Sequence, residues 1–302
     1  MNKLELLRTF VRVSEVNSFT LAAESLGLPR STVSEQVRAL ERLLGTQLFN
    51  RTTRRVRATQ DGALLYTRSK DLLSGMDEIE SLFSADDAEL AGRLRVDLPT
   101  MMARRVIIPA LPRFLQRFPR LQVELSCTDR QVDLLREGFD CVMRIGALHD
   151  LDVVARPVGQ LSMRNCASPA YLARHGVPRT LQDLAGHQLV HYVRNLGGRC
   201  AGFEYVQGGQ VQYQPMAGAV TVNNAEAYSA ACLAGLGLIQ VPAVGVAEHL
   251  QRGELVALLP AWQAPAMPVS LLYARQRHVP RRVQAFMQWL AEVLRSEVDA
   301  TA

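Results

Sequence analysis

Two short apolar-periodic segments, split at Gly27 and Pro29 and followed by four arginines in seven residues, constrain this 302-residue chain more than any other feature. Ser18 supplies a side-chain acceptor for the free amides of a helix start. From there Phe19, Ala22, Ala23 and Leu26 recur at helical spacing. Gly27 stops that helix and Pro29 cannot continue it. A second helix is expected from about Ser31, with Val33, Val37, Leu40, Leu43 and Leu44 as its buried stripe. Small Ala22 and Ala23 let the two helices cross closely, so the pair reads as a helix-turn-helix. The outward face of the second helix carries Arg30, Ser31, Thr32, Ser34, Glu35 and Arg38, short hydroxyls and arginines of the kind that reach base edges and phosphates in a major groove.

The loop that follows holds Arg51, Thr53, Arg54, Arg55 and Arg57. Residues 28–57 contain seven basic and two acidic side chains, whereas residues 61–90 contain two and eight. A cluster of this kind neutralises phosphates and gives salt-dependent affinity, and the reversal of charge ends the basic face near residue 60. Double-stranded DNA is therefore the first partner expected.

The stretch from Met1 to about Phe83 resembles the N-terminal domain of LysR-type transcriptional regulators, through "LRTFVRVSEVNSFTLAAESLGLPRSTVSEQVRALERLLGTQLFNRTTRRVRATQDG". "GRLRVDLP", "VDLLREGFDCVMRIG", "CASPAYLARHG" and "AGLGLIQVP" are similar to that family's effector-binding domain. The resemblance implies a winged helix-turn-helix over 1–60, a linker and dimerisation helix over 61–87, and an effector-binding domain over 88–302. That last part would be α/β and two-lobed, like periplasmic binding proteins, with one lobe from about 92–161 and 268–302 and the other from about 162–267. It also implies a dimer of dimers on inverted repeats. Arg30, Ser31, Thr32, Ser34 and Arg38 would lie in the major groove, and Arg51, Thr53, Arg54 and Arg55 on backbone or minor groove. One departure stands out: the family commonly has a basic residue where Glu35 stands. A carboxylate there either accepts from a cytosine amino group or pairs with Arg38 or Arg42.

Residues 3–16 read as a supporting helix with Leu4, Leu7, Phe10, Val11 and Val13 inward, and 61–84 as a long one with Leu65, Leu72, Ile79, Leu82 and Phe83 along one side. A stripe so one-sided needs a partner. "SADDAEL" reads as a polar hinge. Beyond it, strands are expected at 94–98, 122–127, 141–145, 153–157, 163–167, 189–192, 211–214, 220–222, 238–241 and 269–273. Helices are expected up to Phe118, up to Glu137 and over 280–295. Such alternation predicts an open, mostly parallel sheet covered by helices.

Ligands in open α/β folds bind beyond the carboxyl ends of strands. The residues at those ends are Thr100, Met101, Met102, Asp129, Arg130 and Arg144, then Asn165, His191, Asn223, Asn224 and Gln240. Thr100, Asn223 and Asn224 serve equally well as helix caps, and His191 as a structural histidine. The set offers hydroxyls, amides and arginines, which fits a small organic anion. Arg130 or Arg144 would pair with its carboxylate, or else with Asp129, Asp133 or Asp140.

The five cysteines are scattered without metal spacing, and only Cys200, in a Gly-rich stretch, is expected to be exposed. No G-x-S-x-G, P-loop, H-E-x-x-H or dinucleotide fingerprint occurs, so neither catalysis nor a cofactor or metal is expected. No apolar run approaches bilayer length, and the N-terminus, with Glu5, Arg8 and Arg12, is not a signal peptide; a cytoplasmic protein is expected. An architectural DNA-binding protein without a ligand and an enzyme with a fused DNA-binding head are the alternatives.

Overall fold

Three helices and a hairpin build the N-terminal head of the computed structural model, which describes residues 2–52, 55–81, 90–148, 153–275 and 279–301. The side chains of residues 51, 52, 55, 71, 74, 77, 78, 80, 81 and 296–301 also lie outside that description. Helix α1 (Lys3–Val16) is capped by Asn2, whose side chain accepts from the Leu4 amide at 3.0 Å. Helix α2 (Phe19–Leu26) starts at Ser18, which accepts from the Leu21 amide, and stops at Gly27 with φ 64°. Helix α3 (Arg30–Leu44) begins one residue earlier than expected, directly after Pro29. Phe10, Val13, Ala22, Val33 and Val37 are fully buried where the three cross. Leu4 and Leu7 are only half-buried; Leu6 takes the inward place.

Leu43 and Leu44 correct the expected stripe, at 53% and 46% exposed. The last turn of α3 runs past its partners, and Leu48 and Phe49 fill the core there instead. Phe49 sits 5.4 Å from the Phe10 ring and 5.8 Å from Phe19. It opens the wing, β1 (Phe49–Thr52) antiparallel to β2 (Arg55–Ala58). Helix α4 (Gln60–Ser81) follows. Its expected stripe is split: Leu65 packs onto the head with Tyr66 and Leu73, while Leu72 and Ile79 are exposed together with Leu64. Leu82, Phe83 and nearly all of the polar hinge lie outside the described residues.

The first lobe is built on β3 (Ala91–Leu98), α5 (Thr100–Met102), a π-helical turn (Ala103–Ile107), α6 (Ile108–Arg117), β4 (Arg120–Cys127), β5 (Cys141–Ile145) and β6 (Val153–Leu161). The second contains β7 (Met163–Ala167), α7 (Pro169–His175), β8 (His191–Tyr192), β9 (Phe203–Gln207), β10 (Gln210–Gln214), β11 (Thr221–Val222), α8 (Ala225–Leu233), β12 (Ile239–Pro242), α9 (Ala243–Gln251) and β13 (Val256–Leu258). Then β14 (Met267–Ala274) and α10 (Arg281–Thr301) return to the first. The five-stranded sheet has the order β4-β3-β5-β14-β6. Leu94, Val96 and Leu98 on one face of β3 pack with Phe114, Phe286 and Leu290 into its core.

Three expectations change. The sheets are not mostly parallel: β3 runs parallel to β4 and β5, but β14 re-enters antiparallel to β5 and β6. In the second lobe both partners of β7 are antiparallel to it. The helix expected before Glu137 is a single turn: the Glu137 amide reaches the Asp133 carbonyl, and buried Leu134 and Phe139 pin its ends. Cys127, at the end of edge strand β4, is exposed, whereas Cys200 is half-buried and the other three cysteines are buried. Strands β9 and β13 were not expected. Among the described residues, no helix is long and apolar enough to cross a membrane.

Candidate DNA interface and effector cleft

Polar bonds join the elements of the head beside its apolar core. Thr9 Oγ1 donates to Gln36 Oε1 at 2.6 Å, Arg12 Nε donates to Ser25 Oγ at 2.6 Å, and Glu41 Oε1 accepts from the Leu48 amide at 3.0 Å. The outer side of α3 is different. Arg30, Ser31, Glu35 and Arg38 are exposed, with Thr32 and Ser34 half-buried between them. None of these six side chains bonds another described residue. Of the wing residues, Thr53 and Arg54 lie outside the described residues, as do the side chains of Arg51 and Arg55; Arg57 is exposed.

Between the two lobes lies a cavity of about 210 Å³. Met101, Asp129, Arg130, Arg144 and Gln240 line it, as does Thr128 beside Asp129 at the same strand end; Met163, Tyr192, Arg194, Tyr228 and Met267 join them without a signal in the sequence. The polar residues are largely committed to the protein itself. Asp129 bridges the lobes: Oδ1 accepts from the Thr100 amide at 2.9 Å and Oδ2 from the Ala225 amide at 2.6 Å, at the first turns of α5 and α8. Arg144 donates to Asp97 at 2.7 Å; Asp97 is fully buried and also accepts from Thr128 Oγ1 at 3.1 Å. Arg130 pairs with Glu137, so neither arginine takes the aspartates considered from sequence. A hydrogen bond from Arg130 holds the Glu137 carboxyl below the usual range. Burial and the nearby Asp129 charge push the Tyr192 phenol up to about 12.

Six of the expected cleft residues do not line the cavity. Thr100 presents its amide to Asp129, while its hydroxyl faces the Cys127 carbonyl. Met102 is fully buried in the first-lobe core. Asn165, also fully buried, donates to the Trp262 carbonyl at 2.8 Å and accepts from Gln240, which ties both to the second lobe's backbone. His191 faces the Met216 carbonyl at 3.3 Å. Asn224 caps α8 by accepting from the Glu226 and Ala227 amides, and Asn223 is exposed beside it. Ion pairs from Arg104 to Glu226 and from Arg105 to Glu248 also cross between the lobes. Both arginines sit on the π-helical turn, a distortion often found where a helix serves function.

A family model described as the bacterial regulatory helix-turn-helix protein of the lysR family matches residues 4–63, and one described as the LysR substrate binding domain matches residues 87–295. The chain belongs to the LysR family of transcriptional regulators. The helix-turn-helix transcriptional regulator YhjC of Escherichia coli K12 is 45% identical over 299 residues, 99% of this chain and 100% of the relative. A helix-turn-helix transcriptional repressor of Pseudomonas aeruginosa UCBPP-PA14 is 36% identical over 97% of this chain and 92% of its own length. Among solved structures, the LysR-type regulator CrgA of Neisseria meningitidis matches with a TM-score of 0.59 and 30% identity, over 95% of this chain and 97% of that one. The Vibrio cholerae virulence activator AphB matches with a TM-score of 0.56 and 26% identity, over 95% and 98%. The LysR assignment gives the two sites their classes: a DNA-binding head, and a cleft in an effector-binding domain.

Proposed function

We propose that this LysR-type regulator binds inverted repeats in promoter DNA as a dimer of dimers and responds to a small organic anion held between its lobes. It would act in the cytoplasm and without catalysis, its domains divided as 1–60, 61–87 and 88–302. Arg30, Ser31, Thr32, Ser34 and Arg38 would approach base edges and phosphates, and Arg51, Thr53, Arg54 and Arg55 the backbone or minor groove. The exposed Leu64, Leu72 and Ile79 on α4 support pairing with a second copy.

The observation that carries the reading is the Asp129 bridge beside the cavity. One carboxylate joins an amide from each lobe, so the seat already selects a carboxylate and ties its occupancy to lobe closure. An effector carboxylate would replace Asp129, with Met101, Met163 and Met267 giving its apolar part an adaptable wall. The effector would shift the population of lobe arrangements only by its difference in affinity for them.

Thermal unfolding of the full chain against small carboxylates, amines and sugars tests this. A carboxylate at about 100 times its dissociation constant adds about 2.7 kcal/mol and raises the melting temperature. Stabilisation by amines or sugars alone would overturn the anionic effector. A full chain that binds all DNA sequences equally would overturn the regulator in favour of an architectural protein.

A further inference from the structure

Of the two carboxylates among residues 28–57, Glu41 is spent on the Leu48 amide, whereas Glu35 is exposed and bonds no described residue. Arg38 and Arg42, three and seven residues further along α3, are exposed too, and neither forms an ion pair with it. The same side of the helix presents Ser31 and Ser34, and together these residues line one shallow groove. A negative group thus stands uncommitted in the middle of the face that carries Arg30, Ser31 and Arg38.

We infer that Glu35 is a specificity-determining residue that reads a cytosine in each half-site by accepting a hydrogen bond from its N4 amino group. The inference rests on α3 being the helix that enters the major groove. On such a helix a carboxylate meets the field of the phosphates and loses hydration, which is unfavourable unless a donor on the DNA replaces the water. Only two donors face the major groove, the N6 amino group of adenine and the N4 amino group of cytosine. On adenine the N6 group sits beside the N7 acceptor, which repels the second carboxylate oxygen; cytosine carries no such acceptor on that edge. Arg38 and Arg42, one and two turns further along the same side, lower the repulsion between Glu35 and the backbone without withdrawing its oxygens.

Selection of duplexes from a random library by the full chain, its Glu35→Gln variant and its Glu35→Ala variant tests the assignment. The unmodified chain should recover half-sites with cytosine at one fixed position. Glu35→Gln should recover adenine there, because an amide pairs with adenine N6 and N7. Glu35→Ala should lose the preference at that position and keep it elsewhere. Replacing that C·G pair should weaken the unmodified chain by about tenfold or more and leave Glu35→Ala unmoved. If all three proteins recover the same half-site, and Glu35→Ala merely binds every sequence more tightly, Glu35 reads no base and the inference fails. If the unmodified chain enriches no sequence at all, the reading of α3 fails first and the inference with it.

Discussion

The outer face of α3 and the inter-lobe cleft are both rich in polar side chains, yet they are bonded in opposite ways. On α3, Arg30, Ser31, Thr32, Ser34, Glu35 and Arg38 bond no described residue. In the cleft, Asp129, Arg130, Arg144 and Gln240 are each engaged by the protein itself. An uncommitted face binds by adding bonds, and exchanges only water and counterions to do so. A committed cleft binds by replacing bonds, so occupancy necessarily changes what holds the lobes together. The first arrangement suits a reader of DNA and the second a switch.

The largest effect expected from breaking this contrast lies in the cleft. Asp97→Ala removes the buried partner of Arg144 and leaves a charge uncompensated; about 3–5 kcal/mol should be lost in denaturant unfolding. A loss below 1 kcal/mol would mean that solvent reaches Arg144 and the network is not committed. Arg38→Ala tests the other side. It should weaken binding to a selected duplex by about 1–3 kcal/mol if the side chain meets a base, or lower the salt slope by about 1 if it meets a phosphate. Its unfolding midpoint should stay unchanged, because exposed Arg38 bonds no described residue. Loss of stability instead of DNA affinity would reverse the contrast.

Asp129→Ala should cost about 1–2 kcal/mol, as expected for unmaking a carboxylate cap. The same variant should bind benzoate or acetate more tightly than the unmodified chain, since the two amides are vacated; calorimetric titration reads both. Equal affinities would show that Asp129 does not compete with ligand. The smallest effect concerns acid. The Glu137 carboxyl is held low by Arg130, so its contribution is present above the unfolded value near 4.3. It is lost as pH falls through the lower folded value. Both side chains are partly exposed, which limits the contribution to about 1 kcal/mol at most. Glu137→Gln should flatten that part of the stability profile.

The sequence made the head legible because its signals are local. Ser18, Gly27 and Pro29 act on their own neighbours, and the caps and the turn form where those residues stand. Periodicity did not reveal where α3 outruns its partners, so Leu43 and Leu44 looked like core although Leu48 and Phe49 close it. Strand ends pointed to the cleft but to only part of its lining, Met101, Asp129, Arg130, Arg144 and Gln240. Asn165 lies in the middle of β7, and its amide is directed at the Trp262 carbonyl, nearly a hundred residues away; no local pattern announces that partner. Tyr192, Arg194 and Tyr228 become lining residues only because the lobes fold together, which is also why they were missed.

The most direct test of the central claim is the ratio of affinities of the full chain for a selected duplex and for a scrambled one of equal length, at one physiological salt concentration. An open α3 face that reads bases predicts a ratio of about 10³ or more, reduced when Arg30, Ser34 or Arg38 is replaced by alanine. A ratio near one, unmoved by those replacements, would contradict it.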